Sequence, residues 1–478
     1  MNAKQKQFKD PVHGYISIRE DWCKDFIDTF VFQRLRYIEQ TSMRPLYPAA
    51  RHDRFIHSLG TFHLGQRIYA SILKNTQDEK IKNVLKEDRF QNTFLIACLM
   101  HDCGHAPFSH TLEEFFNHAD AKTPKQANKL LQEEFPNEDF QTGDGFDPAP
   151  HEAFSAVVLN KFFADKLKKY NCDAELAARM ITGCTYPDER DEKHCLANRL
   201  IGLLNGKAID VDKLDYILRD TWVSGVQNTA IDIDRLVRSV VFHFDAGGKI
   251  KQCFHKSALS VLQNVVDARN YLYEWVYNHH TVLYYSKLLN KSMRKLAELV
   301  GKEKDKDYFW KTVFSLEPFR NAVKISNDHK VYLPADGDML YLMKNFIHEI
   351  PEVEELLSHT PKRVALWKTY AEFRMLFKET LVVNPNTGKS ISKRLPKLLS
   401  QELQCPEEDI IIISALAKHY VIEESHVFVL VDNEVISFTE LMGDKPASRS
   451  GYFFYVFIPP EHKNKKTAII DLISSLSR

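Results

Sequence analysis

Within ten positions the chain sets His101, Asp102, His105 and His110, directly after the uncharged and almost wholly apolar run Thr93–Met100. Such a run reads as a helix buried on all sides. Burying an imidazole beside a carboxylate is costly unless both are hydrogen-bonded or hold a cation, and three histidines exceed what packing requires. Metal ligation is the economical reading; a hydrogen-bonded His and Asp pair capping a core helix accounts for the same segment without an ion. Gly104 reads as the stop of the buried helix, and His105, Pro107 and His110 as the start of a new amphipathic one.

Two other stretches offer partners. In RHDRFIHSLG, Arg51, His52, Asp53, Arg54 and His57 stand at or just before an apolar-periodic helix over Leu59–Leu73, whose N-terminus suits an anion. In AIDVDKLDYILRD, Asp212 lies three residues before Asp215 and four before Tyr216, beside Lys213, so one helix face gathers acidic and phenolic groups. A helix solvated on one side would show the same pattern. Together, His57, the pair His101 and Asp102, and Asp212 form a mixed nitrogen and oxygen set suited to a divalent ion such as Mn, Fe, Zn or Mg with positions left open. Around them stand His105, His110 with Glu113 one turn on, His151, Arg54, Lys213 and Tyr216. These proton carriers and anion holders are the inventory for hydrolysing a phosphate ester.

The elements that must position them follow from the periodicity. A short extended segment spans Gly14 to Ile18 after the DPVHG turn, a helix runs from about Asp21, and the two prolines of SMRPLYPAA make a loop of Gln40 to Ala50. A charged link covers Asn75 to Arg89, and a polar insertion with a helical patch at Lys125 to Glu134 covers Asp120 to Pro150. Helices are expected from His151 to Lys169, Ala174 to Thr182 and Cys195 to Leu204, a hairpin from Val240 to Phe254, and one long helical run from Ala258 to Val300 that puts Arg269 and Tyr277 on one face. Pro361 to Thr380 reads as helical, with Arg374 and Lys378 four apart. HVFVLV, EVISF and GYFFYVFIPP read as strands ahead of a helix from Lys466. The expected fold is mainly α, a helical core over residues 1–300 with a smaller C-terminal α+β lobe over 301–478.

Composition narrows the class. At 478 residues, Lys plus Arg equals Asp plus Glu at 64 each, so bulk charge does not imply a nucleic-acid partner. Eight scattered cysteines without CxxC pairs suggest reduced thiols and a cytoplasmic protein, and no uncharged apolar run approaches the length of a membrane span.

HSLG at His57, HDCGHAPFSH at His101 and DVDKLDY at Asp210 together resemble the HD superfamily of metal-dependent phosphohydrolases, specifically its deoxynucleoside triphosphate triphosphohydrolases of the SAM and HD domain type. The resemblance runs from about Lys6 to Lys378 and starts so near residue 1 that it implies a version without the sterile alpha motif domain. It implies metal ligation by His57, His101, Asp102 and Asp212, and a catalytic layer of His105, His110, Glu113 and His151. In that layer His110 would protonate the leaving 5′ oxygen and Glu113, where the family carries aspartate, would orient it. Arg54, Lys213, Tyr216 and Arg269 would meet the triphosphate or base, Gln40 and Asp220 the sugar 3′ hydroxyl, and Tyr277 the sugar. It further implies assembly into tetramers by a guanine nucleotide, read by Asp28, Gln33 and Arg36 with Lys6, Arg374 and Lys378 on its phosphates. Asp232 and Arg235 match a second activator site in part. A phosphodiesterase or pyrophosphohydrolase acting on a cyclic or alarmone nucleotide, or a nucleotide sensor, is the alternative. Where the family has a leucine against the sugar 2′ position this chain has Thr41, which implies a narrower preference for deoxynucleotides.

Overall fold

A computed structural model describes residues 4–117, 126–141, 146–207, 209–226, 231–301, 307–326, 328–377, 383–417, 427–442 and 451–475. Its centre is a long helix, α1 (Arg54–Asn75), started by Asp53, whose side chain accepts the Ile56 N–H at 2.9 Å. Against it pack α2 (Asp88–Met100), buried from Thr93 to Met100 as its apolar run demands, and α4 (Val211–Ser224). The helix α3 (Pro150–Lys169) lies on Ala174–Thr182, which in turn touches α2 and Glu192–Leu204. Helix α5 (Leu259–Tyr271) packs on α4, and α6 (His280–Gly301) carries the chain toward the second core.

The protein is mainly helical, with smaller sheets concentrated in the C-terminal region. Gln5–Asp10 and Gly14–Arg19 form an N-terminal hairpin, so the predicted strand has a partner on its N-terminal side that the sequence reading did not include. Its turn is held by Asp10, which accepts the Val12 and His13 N–H groups at 2.7 Å each, with Gly14 at φ 78°. Val240–Phe244 and Ile250–His255 form the expected hairpin, and Phe428–Val431 joins it in parallel, with Glu434–Ser437 at the edge. Ile411–Ala417 and Val364–Ala365 flank Gly451–Ile458 in a separate sheet, against which Pro385–Leu403 packs. One hydrophobic core gathers residues from Ile16 to Val353 together with Val427, Val429 and Phe438. A second joins Tyr284, Tyr285 and Leu288 of α6 to the strands and helices from Leu366 to Ile473.

Several expected helices are broken, each for a local reason. After His101 the amphipathic helix does not form: Phe108 and Ser109 take left-handed backbone (φ 54° and 51°), leaving only short 3₁₀ turns at Ser109–Thr111 and Glu113–Asn117. Tertiary partners replace the helix bonds, since Arg34 donates to the carbonyls of Cys103 and His105 and the Phe108 N–H reaches Asp336 at 2.6 Å. The helix expected from Asp21 is split into Glu20–Trp22, a π-turn Cys23–Ile27, Phe30–Gln33 and a 3₁₀ turn Arg34–Tyr37, because Thr29 caps a new start by accepting from Phe32. The run from Ala258 is cut by a π-turn at Leu272–Tyr277, so Arg269 and Tyr277 do not share one continuous helix face. The charged link contains a helix, Glu79–Leu85, and among the described residues of Pro361 to Thr380 only Tyr370–Phe377 is helical.

Candidate metal centre

His57, His101 and Asp212 come from three separate elements, and their ligand atoms all lie within 4.8 Å of one another. His57 Nε2 is 2.9 Å from Asp212 Oδ1 and 3.3 Å from His101 Nε2, and His101 Nε2 is 3.6 Å from Asp212 Oδ1. Asp102 Oδ2 closes the group at 3.7 Å from His57 Nε2 and 3.6 Å from His101 Nε2. Donors about 3 to 4 Å apart fit neighbouring positions around one ion with bonds near 2.1 Å.

The other imidazole nitrogens are tied down. His101 Nδ1 lies 3.0 Å from the Cys98 carbonyl, and His57 Nδ1 lies 2.7 Å from Asp215. A carboxylate behind a histidine fixes the tautomer that presents Nε2 as a ligand. Asp215 is itself fully buried and held by His13 at 2.6 Å and by both arms of Arg219 at 2.9 Å, while Asp10 takes the third nitrogen of Arg219 at 2.8 Å. None of His13, Asp215, Arg219 or Asp10 was assigned a part from sequence. Asp215 was in view three residues after Asp212, and that spacing was its only signal.

The electrostatics favour positive charge in the centre. Burial disfavours the charged form of His57, but its hydrogen bonds to Asp212 and Asp215 more than reverse this and lift it to about 10. Burial likewise opposes ionisation of Asp102 and Asp212, yet Arg54, His101 and His57 hold the first, and His101 and His57 the second, well below the carboxylate range. A centre that binds a proton this firmly, with its nitrogens aimed inward, has the donor set of a cation site, and the residues present fit a divalent metal.

Beside it lies a second layer of imidazoles. His105 and His151 stack with ring centroids 4.4 Å apart, and His110 stands edge-on to both at 5.1 and 5.2 Å. Glu113 bridges them, its two oxygens lying 2.7 Å from His110 Nδ1 and 2.5 Å from His151 Nδ1. Against the effect of burial, His151 and His110 drive Glu113 far down, and Glu113 raises His151 to about 9. Burial keeps His105 neutral, and neither of its ring nitrogens has a partner among the described residues. The side chain of His110 is 63 % exposed, and Glu113 holds its Nδ1.

The remaining site residues fall into three groups. Arg54 is buried and already engaged, donating to Asp102 at 2.6 Å, to Ser109 at 2.8 Å and to the Gln40 carbonyl at 3.2 Å. Lys213 bonds Asp210 at 2.6 Å, and Arg269 and Tyr216 lie close enough to it and to Asp212 to perturb each other electrostatically. Asp220 accepts from the Tyr277 hydroxyl and lies 2.6 Å from His52, a partner absent from the sequence assignment, and the buried Gln40 side-chain oxygen has no partner among the described residues.

The residues assigned to a nucleotide activator sit elsewhere. Lys6 pairs with Asp28 at 3.2 Å, Gln33 donates to the Ile27 carbonyl at 2.9 Å, and Arg36 donates to Gln33 at 2.9 Å while its guanidinium covers Phe55. These four form one surface group. Arg374 lies on the exposed face of Tyr370–Phe377; Lys378 lies outside the described residues. Asp232 caps a short helix and pairs with Arg235 at 3.4 Å.

A helical core with two imidazoles and two carboxylates around one point, backed by a histidine layer, defines an HD-type phosphohydrolase. Residues 54–194 of this chain match the HD domain family. It is similar to the deoxynucleoside triphosphate triphosphohydrolase SAMHD1 homolog of Dictyostelium discoideum, 31 % identical over 277 residues, 57 % of this chain and 46 % of that protein. It is also similar to the deoxynucleoside triphosphate triphosphohydrolase SAMHD1 of Gallus gallus, 28 % identical over 385 residues, 77 % of this chain and 56 % of that one. The chain spans about half the length of the curated relatives it matches. A phosphohydrolase from Bacteroides thetaiotaomicron has the same fold, with a TM-score of 0.64 at 20 % identity over 95 % of this chain and 100 % of that one.

Proposed function

We propose that this protein hydrolyses nucleoside triphosphates, deoxynucleotides in preference, to nucleoside and inorganic triphosphate. The observation that carries the reading is the juxtaposition of His57, His101, Asp102 and Asp212 with a separate layer of His105, His110, His151 and Glu113. A cation held by the first four residues would supply Lewis acidity at the phosphate and make the attacking water more acidic. The chain's own groups do the rest. His110, steadied through Nδ1 by Glu113, delivers a proton from Nε2 to the leaving 5′ oxygen. Protonated His151, on the other oxygen of Glu113, adds positive charge beside the phosphate. The orphaned nitrogens of buried His105 take a phosphate oxygen or water as partner. Lys213, Arg269 and Tyr216 neutralise the triphosphate, Asp220 and Gln40 hold the 3′ hydroxyl, and Tyr277 walls the sugar.

The same reading extends to control. Lys6, Asp28, Gln33 and Arg36 form a guanine-nucleotide site completed by Arg374 and Lys378 of another copy, so that the nucleotide assembles a tetramer. In support, Phe30 and Tyr37 beside that group and Met375 beside Arg374 are 76 %, 68 % and 68 % exposed, as an interface requires. A cytoplasmic location fits the eight free cysteines, and no helix among the described residues is long and apolar enough to cross a membrane. Thr41, in place of leucine, narrows the margin between dGTP and GTP; Thr41→Leu widens the ratio of kcat/KM for the two, and an unmoved ratio removes that role from Thr41. The activity itself is tested by supplying Mn and a panel of nucleotides and assaying inorganic triphosphate.

A further inference from the structure

Behind the loop that carries Gln40 lies a cavity of about 540 Å³ that meets the proposed sugar position only at Thr41 and is otherwise lined by residues with no part in the proposed reaction. Its walls are apolar, formed by Pro45, Tyr285, Leu289, Leu340, Met343 and Leu356, and a volume in the range of small-molecule sites makes it large enough for a compact organic ligand. Two features set it apart from a packing defect. Thr41 and Ser286 line it, and the hydroxyl oxygens of both are shut from solvent without a hydrogen-bond partner among the described residues. A buried hydroxyl without a partner is costly, and a turn about the side chain's first torsion is what would bring either oxygen to a ligand in the cavity. Arg44 and Arg51 also line it; burial and then the nearby Arg51 charge disfavour the charged form of Arg44, and among the described residues only Arg44 of the two has a carboxylate partner, Glu39. Among the described residues Arg51 donates only to the Pro48 carbonyl, at 3.3 Å, which leaves net positive charge at the cavity.

We propose that this cavity is a binding site for a small amphipathic anion, with an apolar body among the leucines and a carboxylate or phosphate head at Arg51. Occupancy has a direct route to the catalytic residues. The cavity wall includes Glu39, Thr41 and Phe108, and Asp336 ties two of these together, accepting the Glu39 N–H at 2.8 Å and the Phe108 N–H at 2.6 Å. Next in sequence, Ser109 bonds the Glu39 carbonyl and receives Arg54, the residue that holds Asp102. A ligand pressing on this loop therefore bears on the segment that carries Gln40 and His110.

The proposal is tested on the full chain with octanoate, octyl phosphate and, as an uncharged control, octanol, each competing against the fluorescent anion 8-anilinonaphthalene-1-sulfonate. The expected result is saturable binding of about one probe per chain, displaced by at least one of the two anions and about tenfold less well by octanol, whichever head group is stronger identifying the class. Arg51→Gln and Ser286→Ala, both changes that leave the apolar core intact, weaken displacement by roughly three- to tenfold. Leu357→Trp at the half-open rim blocks it, and hydrogen exchange of the amides at 39–42 slows with the anion bound. Absence of a saturable site, equal displacement by octanol, or unchanged affinity in both Arg51→Gln and Ser286→Ala overturns the site. Binding that leaves exchange at 39–42 unaltered overturns the link to the loop. None of these readouts depends on hydrolysis, so the site and the proposed activity fail separately.

Discussion

His57 is held from two sides, by Asp212 at 2.9 Å on the ligand nitrogen and by Asp215 at 2.7 Å on the other. If Asp215 sets the tautomer, Asp215→Asn lowers metal affinity by roughly 10- to 100-fold while the fold persists, and His101→Ala, which removes a ligand outright, loses the ion altogether. Metal analysis after dialysis reads both; Asp215→Asn retaining Mn like the parent removes its part. The Glu113 and His151 pair makes a prediction about pH. Glu113 is depressed, so its contribution to stability is in place above its unfolded value near 4.3 and is lost as pH falls. His151 is raised to about 9, so its contribution is complete below its unfolded value near 6.5 and is lost as pH rises through about 9. The metal-free protein is therefore expected to lose roughly 3 kcal/mol between pH 6.5 and 9 from this residue. Melting scans of His151→Asn should show a flatter decline over that interval, and an identical decline contradicts the pairing. At this scale the sequence was legible as far as grouping goes: it set His57, His101, Asp102 and Asp212 together as one candidate set, and the fold brings their donor atoms to one point. His13 stayed hidden, since only the fold brings a residue 202 positions away onto Asp215, whereas Arg219, four residues after Asp215 on one helix, was within reach of the spacing argument and was missed.

Among the elements, α1 and α4 cross so tightly that a Cβ on Gly60 would stand 1.8 Å from an Asp215 oxygen and 2.5 Å from Arg219. Both neighbours are buried and bonded, so neither can swing aside cheaply. Gly60→Ala is thus expected to cost about 1–3 kcal/mol and to weaken metal retention, since the displaced carboxylate is the one that orients His57. Denaturant unfolding beside metal analysis checks this, and a neutral effect on both would show that the helices part freely. Helix periodicity gave away α1, α2, α3 and α4, where apolar faces repeat over many residues. It could not reveal the π-turn at Leu272–Tyr277, or that Phe108 and Ser109 adopt left-handed backbone, the latter because that segment is held by distant partners such as Asp336 and Arg34.

For the whole molecule, the sequence disclosed a helical body and a strand-rich C-terminal region, but not that Phe428–Val431 returns to pair with Ile250–His255. Parallel pairing across so long a stretch leaves no local trace in the chain. The exposed group around Asp28 and Arg36 carries the prediction at this scale: a guanine nucleotide should raise oligomer size and activity together, and sedimentation showing one species with and without nucleotide, beside hyperbolic kinetics, would contradict it. The central claim is chemical, and the most direct measurement is the product of Mn-loaded protein acting on dGTP in the presence of GTP. The expected products are nucleoside, deoxyguanosine with any guanosine, and inorganic triphosphate in equal amounts, abolished in His101→Ala and reduced by roughly 10²-fold or more in His110→Ala. Release of pyrophosphate or monophosphate instead, or undiminished triphosphate from His101→Ala, would contradict it.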